Sequence, residues 1–159
     1  MSAYLDDLVP GTVAELGSHL FTAADIIAFA RAYDPQPFHI DELAARDSHF
    51  GALCASGWHT AAIWMRLMVA HRNASVAAAR AAGQPVPGLG PSPGFRELKW
   101  PAPVFAGDTI TYRSTYVGGR ATASHPGWGI ARHGNTGHNQ NGVLVFSFEG
   151  SAFWQRRPG

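Results

Sequence analysis

Ser56-Gly57-Trp58-His59-Thr60-Ala61-Ala62-Ile63-Trp64-Met65-Arg66-Leu67-Met68-Val69-Ala70-His71 is the longest strongly apolar helical pattern in the chain. Ile63, Trp64, Met65, Leu67, Met68 and Val69 cover most of its circumference, and a helix apolar nearly all round is a buried one. Ser56 suits the N-cap, which makes Gly57 the first helical residue. The Ala-rich run 73–82 can extend the helix. Residues 83–94 are rich in Gly and Pro and read as a loop, and the segment 73–94 is a candidate cover for a pocket. Beyond residue 94 the chain changes character. Residues 95–100 read as a strand, Thr109–Val117 alternates with period 2, another strand begins near Trp128, and Asn141-Gly142 signals a hairpin turn before 143–155. Strands that come after a helix needing cover on every side imply an α+β fold, with one antiparallel sheet wrapped around a long central helix.

Working towards the N-terminus, Thr22-Ala23-Ala24-Asp25 resembles a capping box ahead of Ile26, Phe29, Ala30 and Tyr33 at helical spacing. Pro35 ends that helix, since the residue before a proline avoids helical backbone angles. Asp34 therefore stands at the mouth of a loop, Pro35-Gln36-Pro37-Phe38-His39-Ile40, stiffened by two prolines. Asp41 suits the N-cap of a short helix over 42–46. Before all this, Pro10-Gly11-Thr12-Val13 turns into a short strand. Neither an internal repeat nor a second domain is visible, and residues 1–159 read as one domain.

Composition narrows the function classes. The chain of 159 residues is 46% hydrophobic and 14% charged, with 5 Trp and 9 Phe. So few charges around so many large apolar groups point to surface hidden by self-association. A formal net charge of +1 without a basic cluster gives no electrostatic case for nucleic acid. One cysteine, Cys54, makes no internal disulfide, which fits a reducing compartment. No apolar run approaches the roughly 20 residues that span a bilayer, and residues 1–10 have no signal-peptide pattern. The expectation is a soluble, cytoplasmic protein.

The residues assembled so far resemble the MaoC-like branch of the hot-dog superfamily, which includes the (R)-specific enoyl-CoA hydratases. Four pieces carry the resemblance in order: Asp34-Pro35-Gln36-Pro37-Phe38-His39-Ile40-Asp41; Phe50-Gly51 with Ala55-Ser56-Gly57; Pro103-Val104 with Gly107-Asp108; and Asn139-Gln140-Asn141-Gly142. Two positions depart from the family pattern. Gln36-Pro37 stands where Asn-Pro is frequent, and Ser56 where His often precedes the helix glycine.

The resemblance implies a hot-dog domain that hydrates an enoyl thioester or dehydrates a 3-hydroxyacyl thioester. The substrate is acyl-CoA or an acyl-carrier-protein thioester, and no cofactor is implied beyond the CoA carried by the substrate. Asp34 and His39 would hold and activate the water. An imidazole suits proton transfer near neutral pH, and a close Asp–His pair can titrate as a unit. The first N–H groups of a helix lack internal partners and lie at the positive end of its dipole, so the Gly57 N–H would hold the thioester oxygen. Phe38, Ser56, Trp58 and His59 are candidate substrate-binding residues, with His49 a further histidine near the cleft. Cys54 reads as a small buried hydrophobe. His125, His133 and His138 lack tight ligand spacing, and no metal site is expected. A homodimer, or a dimer of dimers, is implied, with the acyl-CoA channel at its interface.

Two other functions share the fold. A hot-dog thioesterase places a carboxylate on or near the central helix, and here no Asp or Glu occurs between Asp47 and Glu97. A non-catalytic acyl-binding subunit has no use for an intact Asp34/His39 pair.

Overall fold

A computed structural model describes residues 3–158. The elements run β1 (Val13–Leu20), α1 (Ala23–Tyr33), α2 (Pro37–Ile40), α3 (Glu42–Arg46), α4 (Gly57–Ala81), β2 (Gly94–Lys99), β3 (Thr109–Ala121), β4 (Trp128–His138) and β5 (Leu144–Gln155), after a 3₁₀ turn at Leu5–Asp7. The strands form one antiparallel sheet in the order β1-β3-β4-β5-β2, with α4 as its long helix. This is the α+β, hot-dog arrangement that the sequence implies.

Local chemistry sets the element ends that matter for the site. Thr22 Oγ1 accepts from the Asp25 amide at 3.1 Å and starts α1. Asp34 closes it, its own amide bonding back to the Ala30 carbonyl at 2.8 Å. Residues 35–40 are not all loop: Pro37–Ile40 close one helical turn. Pro37 sits at its start, where a missing N–H costs nothing and the fixed φ is already helical. Asp41 accepts from the Leu43 and Ala44 amides at 2.8 and 2.9 Å, capping α3. Ser56 caps α4 by accepting from the Trp58 amide at 3.2 Å.

The core lies between α4 and the concave face of the sheet. Phe21, Ile26, Ile63, Ile110, Tyr112, Val145 and Phe146 fill it, and Tyr112 donates its hydroxyl to the Thr60 carbonyl at 3.1 Å. On β3 the residues facing inward are Ile110, Tyr112, Ser114 and Tyr116, in the period-2 pattern of the sequence. In one respect the expectation fails. The central helix is not buried all round in a single chain, because Trp58, Met65 and Val69 are each about half exposed along one stripe. The sheet has only one concave face to offer, and it takes the opposite stripe, including Thr60, Ile63 and Trp64.

Candidate active site

Four segments meet at the start of α4. The end of α1 supplies Asp34, the α2 turn supplies His39, Cys54 supplies a backbone carbonyl, and Ser56-Gly57 supply the cap. His39 is buried, and its Nδ1 lies 2.7 Å from the Cys54 carbonyl oxygen. A carbonyl only accepts, so Nδ1 carries the proton and donates it. In the neutral ring, Nε2 is then left with a lone pair. Nε2 lies 3.5 Å from Asp34 Oδ2.

Asp34 is mostly buried, and burial pushes its pKa up. Hydrogen bonding from the Ser56 hydroxyl and from Gln36, with the charge of His39, outweighs that and holds the carboxyl below its ordinary range. Gln36 Nε2 donates to Oδ1 at 2.8 Å, which leaves Oδ2 to face the imidazole. Ser56 is the link between the pair and the helix, since its hydroxyl touches Asp34 while its oxygen caps α4.

Asp34 Oδ2 and His39 Nε2 are both acceptors, and 3.5 Å exceeds a normal direct hydrogen bond. A single donor with two hydrogens, such as water, satisfies both at once. Nearby, the Trp58 and His59 amides turn back onto Ser56, whereas the Gly57 N–H has no acceptor among the described residues.

The other candidates separate. Phe38 packs edge-on to His39 with ring centroids 4.5 Å apart and also meets Phe50, so it walls the imidazole. Trp58 stands beside Trp100 at 5.3 Å and lines a cavity of about 420 Å³ between α4 and the sheet. His59 lies elsewhere. It is buried, stacked on Phe29 at 4.5 Å and edge-on to Phe21 at 4.9 Å, and the charges that act on it are those of His19, Asp25 and Arg66 rather than Asp34 or His39. His49 is exposed beside Phe50. Cys54 is buried, which pushes its thiol up to about 11, and its carbonyl is what orients His39.

Three contacts were not visible to sequence reasoning: Gln36 to Asp34, the Cys54 carbonyl to His39, and Trp100 to Gly57. A methyl group on Gly57 would lie 2.5 Å from Trp100 Cε2, and the indole Nε1 donates to Thr60 Oγ1 at 3.1 Å. Gly57 is therefore small because an indole ring lies against it, not only for the approach of a ligand.

A model of the MaoC-like domain matches residues 9–132, most of the chain and all of this site. The chain belongs to the MaoC-like domain family. A MaoC-like dehydratase from Rhodospirillum rubrum is 38% identical, with a TM-score of 0.81 over 99% of both chains. The R-hydratase PhaJ1 of Pseudomonas aeruginosa shares the fold of this MaoC-like chain at 22% identity and TM-score 0.64, over 98% of this chain and 88% of that one. The (R)-hydratase of A. caviae shares it at 23% and 0.63, over 96% and 98%. Among curated proteins, an uncharacterised Bacillus subtilis protein, YdeM, is 37% identical over 65 residues, which is 41% of this chain. The match spans about half of that relative, 46% of its length. Among the described residues, no helix is long and apolar enough to cross a membrane.

Two buried histidines give this MaoC-like domain a pH signature. Burial lowers the pKa of His59 and of His133 from 6.5 to about 4. The unfolded chain binds these protons near pH 6.5, whereas the folded chain resists them until near pH 4. Stability is therefore full above about pH 6.5 and falls as pH drops towards 4. Urea midpoints taken between pH 7 and pH 4 should fall steadily, and His59→Phe should flatten the fall. A midpoint that holds constant down to pH 4.5 contradicts this reading.

Proposed function

We propose that the chain is a hydratase/dehydratase of acyl thioesters, with the substrate most simply an enoyl- or 3-hydroxyacyl-CoA. One observation carries the reading: two acceptors, Asp34 Oδ2 and His39 Nε2, stand 3.5 Å apart at the capped start of α4. Membership of the MaoC-like family supports it, as do neighbours of the same fold described as an (R)-hydratase and a 3R-hydroxyacyl-ACP dehydratase.

The steps come from the residues. A water donates one hydrogen to Asp34 Oδ2 and the other to His39 Nε2. Its oxygen attacks the β-carbon of the conjugated thioester as Nε2 takes a proton. Asp34, held anionic, stabilises the imidazolium beside it. The Gly57 N–H receives the negative charge building on the thioester oxygen, at the positive end of α4. The proton on Nε2 then passes to the α-carbon, so one C–O and one C–H bond form while the C=C π bond of the enoyl group and one O–H bond of water break. Dehydration is the reverse. The test is loss of the conjugated-thioester absorbance over enoyl-CoAs of graded length. Release of free thiol without loss of the enoyl absorbance would instead indicate a thioesterase.

We also propose that the working unit is a homodimer paired through β2. This is one of the two edge strands, the other being β1, and it leaves Phe95 well exposed beside the bare stripe of α4. An unpaired edge with apolar flanks invites a second copy. Complexes such as HadBC and ChsH1–ChsH2 are built from chains of this fold. Sedimentation should give twice the 17.0 kDa chain mass. Phe95→Asp should shift the protein towards monomer, and a monomeric wild type would end this part of the proposal.

A further inference from the structure

The cavity between α4 and the sheet is walled mainly by aromatic and aliphatic groups such as Trp64, Met68, Phe146 and Phe148. Its floor is different. Ser114 on β3 lies directly across from Asn135 on β4, and both line the cavity. Directly opposed residues on one face have Cβ atoms about 4.5–5.5 Å apart. Both residues are 2% exposed, yet Ser114 Oγ and Asn135 Oδ1 have no hydrogen-bond partner among the described residues. The Asn135 amide nitrogen is taken, donating to the His133 carbonyl at 3.0 Å, and this fixes Oδ1 as the free end. In the next row His133 is paired with Gly150, whose lack of a side chain keeps the floor open there.

Resting on the hydratase reading, we infer that this floor selects an acyl chain bearing a neutral hydroxyl group well beyond the thioester. The donor arithmetic decides the chemistry. A hydroxyl donates to Asn135 Oδ1 and accepts from Ser114 Oγ–H, satisfying both. A plain alkyl chain leaves both atoms as unpaired as they are in the free chain and gains nothing from them. An ether or ketone satisfies Ser114 only. A carboxylate meets the negative end of the Asn135 dipole, and His133 beside it is neutral because burial lowers its pKa to about 4. Arg72, the cation on the cavity wall, sits two turns along α4 from Trp64.

The group selected is not the 3-hydroxyl made by hydration. Tyr112, two residues before Ser114 on the same face, reaches the Thr60 carbonyl in the first turn of α4. The Ser114–Asn135 row is one further step along the strands, about 7 Å away.

The test measures binding without turnover. Saturated acyl-CoAs of four to ten carbons are titrated calorimetrically into the purified protein, each against its ω-hydroxy counterpart and its ω-carboxy counterpart. At one or more chain lengths the hydroxy compound should bind at least tenfold more tightly than the alkyl one. Ser114→Ala and Asn135→Leu should each shrink that ratio to about twofold or less, and Asn135→Leu should bind the alkyl chain more tightly. Ser114→Ala removes one oxygen atom, so it keeps the test open if Asn135→Leu fails to fold. The inference is overturned if no chain length favours the hydroxyl, if the carboxy compound binds best, or if the preference survives both substitutions. Because saturated chains cannot be hydrated, a clear hydroxyl preference in a protein that does not hydrate enoyl-CoAs would sink the hydratase reading alone. Turnover without the preference would sink this inference alone.

Discussion

Replacing Asp34 with Asn should lower kcat/KM for crotonyl-CoA by about 10²–10⁴-fold, the range typical of a positioned acid–base group. The substitution is nearly isosteric, so the fold should survive it. What changes is the hydrogen-bond inventory. The native carboxylate accepts through Oδ2, 3.5 Å from His39 Nε2. An amide nitrogen in that place donates straight to Nε2, ties up the lone pair and displaces the water that the two acceptors would share. If Gln36 Nε2 keeps the remaining oxygen, as it holds Oδ1 now, the amide has no better orientation to adopt. His39→Ala should cost a similar factor by removing the base itself, and it also leaves the buried Cys54 carbonyl unpaired. Gln36→Ala should cost far less, because it only loosens the carboxylate and lets its pKa rise. Enoyl absorbance measured for the four proteins, each with a thermal melt to confirm folding, separates these outcomes. Wild-type rates in Asp34→Asn and His39→Ala would end the proposed mechanism.

Much of this was legible because the deciding signals are local. Thr22, Asp41 and Ser56 cap helices from within their own turns, and β3 alternates strictly enough to show its buried face. The Asp34–His39 spacing sits on one proline-stiffened segment, so both groups reach the same space. The position of His59 was also within reach. Two residues along a helix is about 200° of rotation, which turns His59 away from Gly57 and towards Phe29. The inner face of β4 gave little to read. Gly129, Ala131, His133, Asn135 and Gly137 are its buried residues, and none is a large hydrophobe. A strand whose buried face is small or polar carries no period-2 hydrophobic signal, and the Ser114–Asn135 row depends on a cross-strand register that only the folded sheet reveals. The half-exposed stripe of α4 misled for the opposite reason. Apolar side chains on every side mark a helix that will be covered, but they do not say whether its own chain covers it.

Gly57→Ala should destabilise the protein by about 1–3 kcal/mol, the usual cost of overpacking, and this cost should vanish when Trp100 is also replaced by Ala. The new methyl group would meet three atoms of the indole at 2.5–2.9 Å. The ring is held by its Nε1–H bond to Thr60 Oγ1 and flanked by Trp58, so yielding means giving up that bond. Alanine is otherwise the better helix former, by about 1 kcal/mol in a helix interior and by less at a first helical residue. In the Trp100→Ala background, Gly57→Ala should therefore be neutral or slightly stabilising, a reversal of sign that a general helix effect cannot produce. Activity should obey the same logic. The backbone N–H survives in Gly57→Ala, so lost hydration would come from displacement of the helix start, and about 1 Å of misplacement can cost up to roughly 10²-fold. The double variant should recover most of that loss. Urea midpoints and enoyl-CoA rates for the four proteins of this cycle give the coupling directly. An equal stability cost for Gly57→Ala in both backgrounds would mean that something other than the indole requires glycine at the tip of α4.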